Sequence, residues 1–497
     1  MARSIHPTTE QQAILDAVPA GGRLKIKAYA GAGKTLTLRL VADRLSPQRG
    51  TYLAFNREIA EHARRSFPAN VSAATVHSLA YRSVAPELAA RVGYPAEPPH
   101  DLAARFGLSA LEVPLVTGKA VEITPFEIGR MIVDGLGRFC RSADEIPAAI
   151  HVPVDEKIDP RAADWLRNGL LPYVSRLWDE SRQPRGHSAI IPDVYLKVWA
   201  QSVPRIDSDF ILFDEAQDSD GVMLWLLNQQ THAQTVFVGD PYQQIYEWRG
   251  AVNAMAQISA PEYALTESFR FGPVIATLAS RLLALLGEST PVRGQNSIGS
   301  IGVDDPSLAP PVDAILCRKN VSAIWHLAAG IEAGHRASIR MSSAEIVAYA
   351  DGADALLDGR RAYKPAAFSL FESWKDVQSF ARSAAGSDLL PIVRFVDELG
   401  TDYLRALSQR ASSEANSDYV ISTVHRAKGL EWKRVKVVND FLFKYVDGRL
   451  TLDDDELRLL YVAVTRAQHL LDVSDLREQL LRLFSSGPSR RVRHNAT

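Results

Sequence analysis

The sequence predicts an α/β fold of two parallel-sheet domains, on three observations. Short β-rich apolar runs alternate with helical stretches, the pattern of parallel strands covered on both faces. A loop of small residues ending in Gly-Lys-Thr stands between one such run and a helical stretch. At 497 residues, the chain exceeds what one hydrophobic core fills.

The runs are Leu24–Ile26, Thr51–Phe55, Phe210–Asp214, Thr235–Gly239, Asp313–Cys317, Tyr419–Ser422 and Val435–Val438. From Tyr81 to Val203 the pattern is mostly helical, with proline joints at Pro95–Pro99 and Pro192. Residues 334–414 are weakly patterned, and no internal repeat or low-complexity tract occurs.

Hydrophobic residues are 46% and charged residues 23% of the chain, as in soluble globular proteins. The two cysteines, Cys140 and Cys317, give neither a metal spacing nor a disulfide framework, so a reducing cytoplasmic, nucleoid-associated setting is expected. The opening MARSIHPTTEQ has no apolar core, which argues against a signal peptide. Nor is there an 18-residue apolar stretch, so no membrane partner is expected. Net charge is −2, which excludes a uniformly basic surface but not a basic cleft. The stretch 486–497, SGPSRRVRHNAT with its neighbours, reads as a disordered basic tail.

Ala28-Tyr29-Ala30-Gly31-Ala32-Gly33-Lys34-Thr35 fits the P-loop pattern, with Ala at its first position. Small residues let backbone N–H groups wrap a phosphate at a helix N-terminus. Lys34 would reach the β and γ oxygens of ATP, and the Thr35 hydroxyl would ligate Mg²⁺. The run Phe210-Ile211-Leu212-Phe213 ends in Asp214-Glu215. Asp214 is the expected Mg²⁺ holder, and Glu215 would orient or deprotonate the attacking water. The competing reading, two solvated carboxylates in a loop, weakens with a P-loop upstream. Lys34 and Asp214 stand 180 residues apart, so a helical insertion is expected between them.

Further motifs follow in order: Thr8-Thr9-Glu10-Gln11, Leu53-Ala54-Phe55-Asn56-Arg57, Thr75-Val76-His77-Ser78, Gly239-Asp240-Pro241-Tyr242-Gln243-Gln244-Ile245-Tyr246-Glu247-Trp248-Arg249-Gly250-Ala251, Glu267-Ser268-Phe269-Arg270, Ala314-Ile315-Leu316-Cys317-Arg318, Thr423-Val424-His425-Arg426-Ala427-Lys428-Gly429-Leu430-Glu431-Trp432, and Leu460-Tyr461-Val462-Ala463-Val464-Thr465-Arg466-Ala467. Together with the P-loop and Asp214-Glu215 they resemble the motif set of the UvrD/Rep-type superfamily 1 DNA helicases, from Gln11 to about Leu470. The segments 53–67, 139–153 and 195–199 resemble the F-box DNA helicase branch. No F-box is expected, since almost nothing precedes Gln11.

The resemblance implies two RecA-like P-loop NTPase motor domains. Domain 1A is expected over residues 1–82 plus 200–268, with a helical 1B-like insertion at 83–199. Domain 2A is expected over 269–335 plus 415–485, with a reduced 2B-like insertion at 336–414. It further implies that Gln11 reads adenine, Phe269 stacks on it and Glu431 contacts the ribose. Gln243 would sense the γ-phosphate, and Arg270 and Arg466 would be arginine fingers. A finger contributes roughly 10³–10⁵ in rate in related NTPases. A lone surface arginine more often sits in an ion pair. Leu36 stands where the family often has an arginine against the base, which leaves other NTPs open.

For the strand, the resemblance implies stacking on Trp248 first, then Phe55, Tyr246, His77 and His425. Arg249 and Thr75 would hold phosphates, and Asn56 is a further expected strand contact. Plain core packing competes with stacking for Phe55 and Tyr246, and capping or core placement competes for His77. The segment after residue 467, His469–Asp475, shows no long strand-separating hairpin, which favours translocation over duplex unwinding. The implied function is an ATP-dependent helicase or translocase, moving 3′-to-5′ on single-stranded or tailed duplex DNA in repair or recombination. Two alternatives are an ATP-switched regulator of a partner nuclease and a remodeller of DNA-bound protein such as a recombination filament.

Overall fold

The computed structural model describes residues 6–485 except 187, 246–253, 306, 309, 363, 369–370, 372, 383–388 and 447. The expected strand contacts Tyr246, Trp248 and Arg249, and the tail 486–497, lie outside the described residues. The chain divides into two compact units, Met1–Ala28 with Gly33–Leu265, and Tyr29–Ala32 with Thr266–Thr497.

In the first unit six strands form one parallel sheet. They are β1 (Arg23–Ala28), β2 (Gly50–Ala54), β3 (Val71–Thr75), β4 (Phe210–Phe213), β5 (Gln234–Gly239) and β6 (Glu262–Leu265), in the order β3-β2-β4-β5-β1-β6. Every residue of β2 and β4 is buried, which explains their unbroken apolar character. The helices α1 (Thr9–Ala17), α2 (Lys34–Arg44), α3 (Arg57–Ser66) and α4 (Val76–Ser83) alternate with the first strands.

Between α4 and β4 lie α5 (Pro125–Arg141), α6 (Pro160–Ser181) and α7 (Pro192–Gln201). Proline occupies the first turn of all three, where its missing N–H has no intrahelical partner to lose. Thr124 caps α5 in a reciprocal pair with Glu127. This mostly helical stretch also contains an antiparallel hairpin, Leu111–Pro114 against Ala120–Ile123, that the sequence did not announce. Its strands have four residues each, with exposed glutamates on both. They therefore lack the apolar run that marked the sheet strands.

The inserted helices do not form a separate core. Ile128, Ile132 and Phe139 of α5 and Leu166 and Trp178 of α6 join Leu53, Val76, Ile211 and Phe213 of the sheet side in one buried cluster. After β4, α8 (Gly221–Asn228) carries the chain to β5, capped by Asp220 through the Met223 N–H.

The second unit repeats the plan. Its strands are β7 (Ile301–Val303), β8 (Ala314–Cys317), β9 (Ala337–Ile339), β10 (Tyr419–Thr423), β11 (Trp432–Val437) and β12 (Ala467–Asp472), all parallel, in the order β7-β12-β11-β8-β10-β9. The stretch between β9 and β10 is helical where described, beginning with α9 (Ser343–Leu357). It shares a core with the sheet through Ile346, Trp374, Val377 and Leu404 against Ile315, Cys317 and Ile421. The helix α10 (Asp454–Val464) precedes β12. Within the segment 469–475, residues 469–472 belong to β12, and a helix follows at Arg477–Ser485. A short antiparallel hairpin, Lys444–Val446 against Arg449–Thr451, comes before α10 instead. Among the described residues no helix is long and apolar enough to cross a membrane.

Candidate functional site

The P-loop is the turn between β1 and α2. Gly31 and Gly33 have φ of 72° and 74°, a left-handed backbone that glycine adopts without a Cβ penalty. Gly33 is the N-cap of α2, and with no capping side chain the first N–H groups of the helix are left for an anion. Ala28, Tyr29 and Ala30 are fully buried and Ala32 nearly so. The Ala32 N–H donates to the Tyr29 carbonyl at 3.1 Å, closing the turn. Lys34 and Thr35 open α2 half-buried, and Lys34 Nζ donates to the Ala28 carbonyl at 3.3 Å.

Asp214 and Glu215 follow β4. Asp214 is 5% exposed. Its Oδ2 accepts from the Tyr52 hydroxyl at 2.6 Å, and its Oδ1 accepts from the Glu215 N–H at 2.9 Å. Burial, then the Glu215 charge, pushes its pKa up to about 6, while Tyr52 and Lys34 pull the other way. The same burial and the Asp214 carboxylate push the Tyr52 phenol upward. Glu215 sits at φ 52°, a left-handed conformation uncommon for a non-glycine residue and typical of functional sites.

A side-chain chain runs on from Glu215. Gln217 Nε2 donates to Glu215 Oε2 at 2.5 Å, and Gln217 Oε1 accepts from the Asp240 N–H at 3.0 Å. Gln243 Nε2 then donates to Asp240 Oδ2 at 2.7 Å. Gly239 packs closely there: a Cβ would meet Gln217 Oε1 at 2.4 Å, so a larger residue would displace that side chain. Tyr52, Gln217 and Asp240 were missed as site residues. Gln217 had a signal in its place beside Asp214-Glu215, whereas Tyr52 reads as an ordinary strand residue.

These residues fit ATP and Mg²⁺. Left-handed glycines, an uncapped helix start and a lysine form an anion cradle. A nearly dry carboxylate beside a second one is a centre that a divalent cation would relieve. Thr35 and Asp214 would hold such a cation, which would supply neutralisation of the charge that develops during phosphoryl transfer.

Asp214 and Glu215 also line a cavity of about 620 Å³ that lies wholly within the first unit. Phe55, Thr75 and His77, three of the expected strand contacts, line the same cavity. Phe55 follows β2 and is 45% exposed, which separates it from core packing. Thr75 is the N-cap of α4: its Oγ1 accepts from the Ser78 N–H at 3.0 Å. Asn56 is the N-cap of α3, its Oδ1 accepting from the Ile59 N–H at 2.9 Å. Both polar groups thus have a structural duty. Gln11 is 1% exposed and engaged at both ends, with Oε1 accepting from the Thr8 N–H and Nε2 donating to Thr37 Oγ1, each at 3.0 Å. An adenine read by Gln11 would have to displace one of these bonds.

In the second unit the expected residues meet one another. Arg270 Nε donates to Glu431 Oε2 at 2.5 Å, and its Nη1 donates to the Thr465 carbonyl at 3.0 Å. The other Glu431 oxygen accepts from Gln468 at 2.8 Å. Arg466 is 1% exposed, and its guanidinium donates to the Val462 and Leu430 carbonyls at 3.0 and 3.2 Å. Phe269, beside Arg270, is 38% exposed. His425 is half-buried in the short helix Val424–Ala427. Its neighbour Arg426 pairs with Glu345 in α9, which holds the Glu345 carboxyl at a pKa of about 2.

Comparison with known proteins supplies the family. Residues 199–263 match the UvrD/REP helicase N-terminal domain, and residues 418–473 match the UvrD-like helicase C-terminal domain. The chain is 29% identical over 513 residues to F-box DNA helicase protein 1 of Schizosaccharomyces pombe, covering 94% of this chain and 57% of that protein. It is 30% identical over 532 residues to F-box DNA helicase 1 of Gallus gallus, covering 96% of this chain and 50% of that protein. The chain thus spans about half the length of the curated relatives it matches. With both domain signatures in place on two six-stranded parallel sheets, the chain belongs to the UvrD-like helicase family.

Proposed function

We propose that this chain is an ATP-driven DNA helicase or translocase that moves 3′-to-5′ along a single strand. One observation carries the reading: Asp214 and Glu215, the carboxylates that follow β4, and the residues Phe55, Thr75 and His77 line one cavity. A strand held there touches the segment that performs hydrolysis, so occupancy of one biases the other.

In this reading the P-loop residues 28–35 hold the nucleotide, with Lys34 on its terminal phosphates. Thr35 and Asp214 hold the metal ion. Glu215 takes the proton of the attacking water, and the Gln217–Asp240–Gln243 chain relays the state of that centre to the segment following β5. Arg270 and Arg466 stabilise charge on the transferred phosphoryl group, which requires Arg270 to exchange its Glu431 partner for phosphate. Phe55 and His77 stack on bases, at roughly 1–3 kcal/mol per base and without reading sequence.

The test is strand displacement on duplexes carrying a 3′ or a 5′ tail, with Glu215→Gln as the hydrolysis-deficient control. Unwinding of the 3′-tailed substrate alone, by the parent alone, supports the proposal. Preference for the 5′-tailed substrate removes the polarity. If neither duplex opens while single strands still accelerate ATP turnover, autonomous unwinding is rejected and the regulator reading takes its place.

A further inference from the structure

Four residues lining the cavity come from the inserted helices: Asp134, Arg138 and Arg141 of α5, and Asp193 of α7. Of these, only Arg141 falls within a segment that carried the resemblance; Asp134, Arg138 and Asp193 lie outside every such motif. Arg141 is fixed, with Nη1 on Asp193 Oδ2 at 2.7 Å. The other oxygen of Asp193 meets His77 Nε2 at 3.2 Å. Tyr195, also on α7, packs edge-on against the His77 ring at 6.1 Å and 89°. The orientation of His77 is therefore set by the insertion as much as by its own helix.

Arg138 differs from its neighbour one turn on. It is exposed and makes no hydrogen bond or ion pair among the described residues. Asp134, one turn back, is drawn to Arg130 at 3.9 Å. The interior of the cavity is acidic, with Asp193, Asp214, Glu215, Asp218 and Asp220 on its walls. A strand phosphate would be repelled from that interior and favoured at the exposed guanidinium, while a neutral base suits the wall of Phe55 and His77. Ser219, a residue of the same wall, is buried, and its Oγ has no hydrogen-bond partner among the described residues.

We propose that the helical insertion grips the strand: Arg138 takes a backbone phosphate at the cavity mouth, and Asp193 is a positioning residue that orients His77 through their hydrogen bond. This rests on the reading of Phe55 and His77 as strand contacts. The rival is purely structural, since a basic residue in the last turn of a helix also complements its dipole.

The experiment measures binding of a labelled oligothymidylate to the full chain over a salt series. Arg138→Gln is expected to lower the slope of log K against log salt by roughly 0.7, one single-strand phosphate contact. Arg138→Lys is expected to restore the slope. Asp193→Asn is expected to weaken binding in the parent and to add nothing in a His77→Ala background. An unchanged slope for Arg138→Gln, or a lower thermal midpoint with no change in slope, overturns the Arg138 assignment. Additive losses for Asp193→Asn and His77→Ala overturn the positioning role. If the parent shows no salt-dependent strand binding, the functional reading itself fails, and this inference with it.

Discussion

The two units share a six-stranded parallel sheet but carry opposite chemistry at their sites. The first concentrates carboxylates that burial has pushed up in pKa, Asp214 and Asp220 among them. The second concentrates arginines already satisfied by Glu431 and by backbone carbonyls. Neither has a complete hydrolytic set. The first holds Lys34, Asp214 and Glu215, and the second holds Arg270 and Arg466 together with Tyr29–Ala32 of the loop. One fold thus serves two roles because function resides in the residues at the strand ends rather than in the sheet.

The sharpest way to break this comparison is on the arginine side. Arg270→Ala is expected to lower ATP turnover by roughly 10³-fold or more, the range for arginine fingers. Nucleotide affinity, measured by equilibrium titration, should change far less. Equal losses in affinity and turnover would make Arg270 a ground-state contact instead. On the carboxylate side, Glu215→Gln is expected to reduce turnover by roughly 10²–10⁴-fold while ATP still binds. Single-turnover kinetics check this, and a retained burst would remove Glu215 as the base.

A third prediction concerns Asp220, which burial pushes to about 6. A raised carboxyl pKa means that its contribution to stability is full below the unfolded value near 3.8 and is lost as pH rises through 6. Asp220→Asn keeps an acceptor for the Met223 N–H, so the variant should be more stable at pH 8 by about 3 kcal/mol and no more stable at pH 4. Thermal melts at both values decide it. Equal effects at the two pH values would show that ionisation of Asp220 is not the cause.

The smallest effect belongs to Glu345, paired with Arg426 and held at about 2. A depressed carboxyl pKa contributes above the unfolded value near 4.5 and is lost as pH falls from there towards 2. Both side chains are partly exposed, so Glu345→Gln should cost under about 1 kcal/mol at pH 7. A larger loss in melts would mean that the pair does more than join α9 to the segment after β10.

Much of this was legible in the sequence. Six of the seven apolar runs extended over four or five residues, and all seven coincide with sheet strands. The five sheet strands that escaped notice are those with little apolar contrast: Val71–Thr75 is built mostly of small residues, Glu262–Leu265 opens on a glutamate, Ile301–Val303 and Ala337–Ile339 have three residues each, and Ala467–Asp472 has only Leu470 and Leu471 as large apolar residues. P-loop glycines and the Asp-Glu pair announce themselves because their neighbours in the chain are also their neighbours in space. The partners of Asp214 and His77 do not. Tyr52 stands 162 residues from Asp214, and Asp193 stands 116 residues from His77. Nothing local distinguishes them. Asn56 and Thr75 illustrate the converse: a polar residue before a helix is first a cap, whatever a motif assigns to it.

We propose that strand binding and hydrolysis act through one cavity of the first unit. The most direct test is ATP turnover against oligothymidylate concentration, for the parent and Phe55→Ala. The strand is expected to accelerate turnover, and Phe55→Ala to raise the half-saturating strand concentration roughly 5- to 100-fold, the equivalent of one stacked base. Turnover indifferent to the strand, or a Phe55→Ala curve superimposed on the parent's, would contradict it.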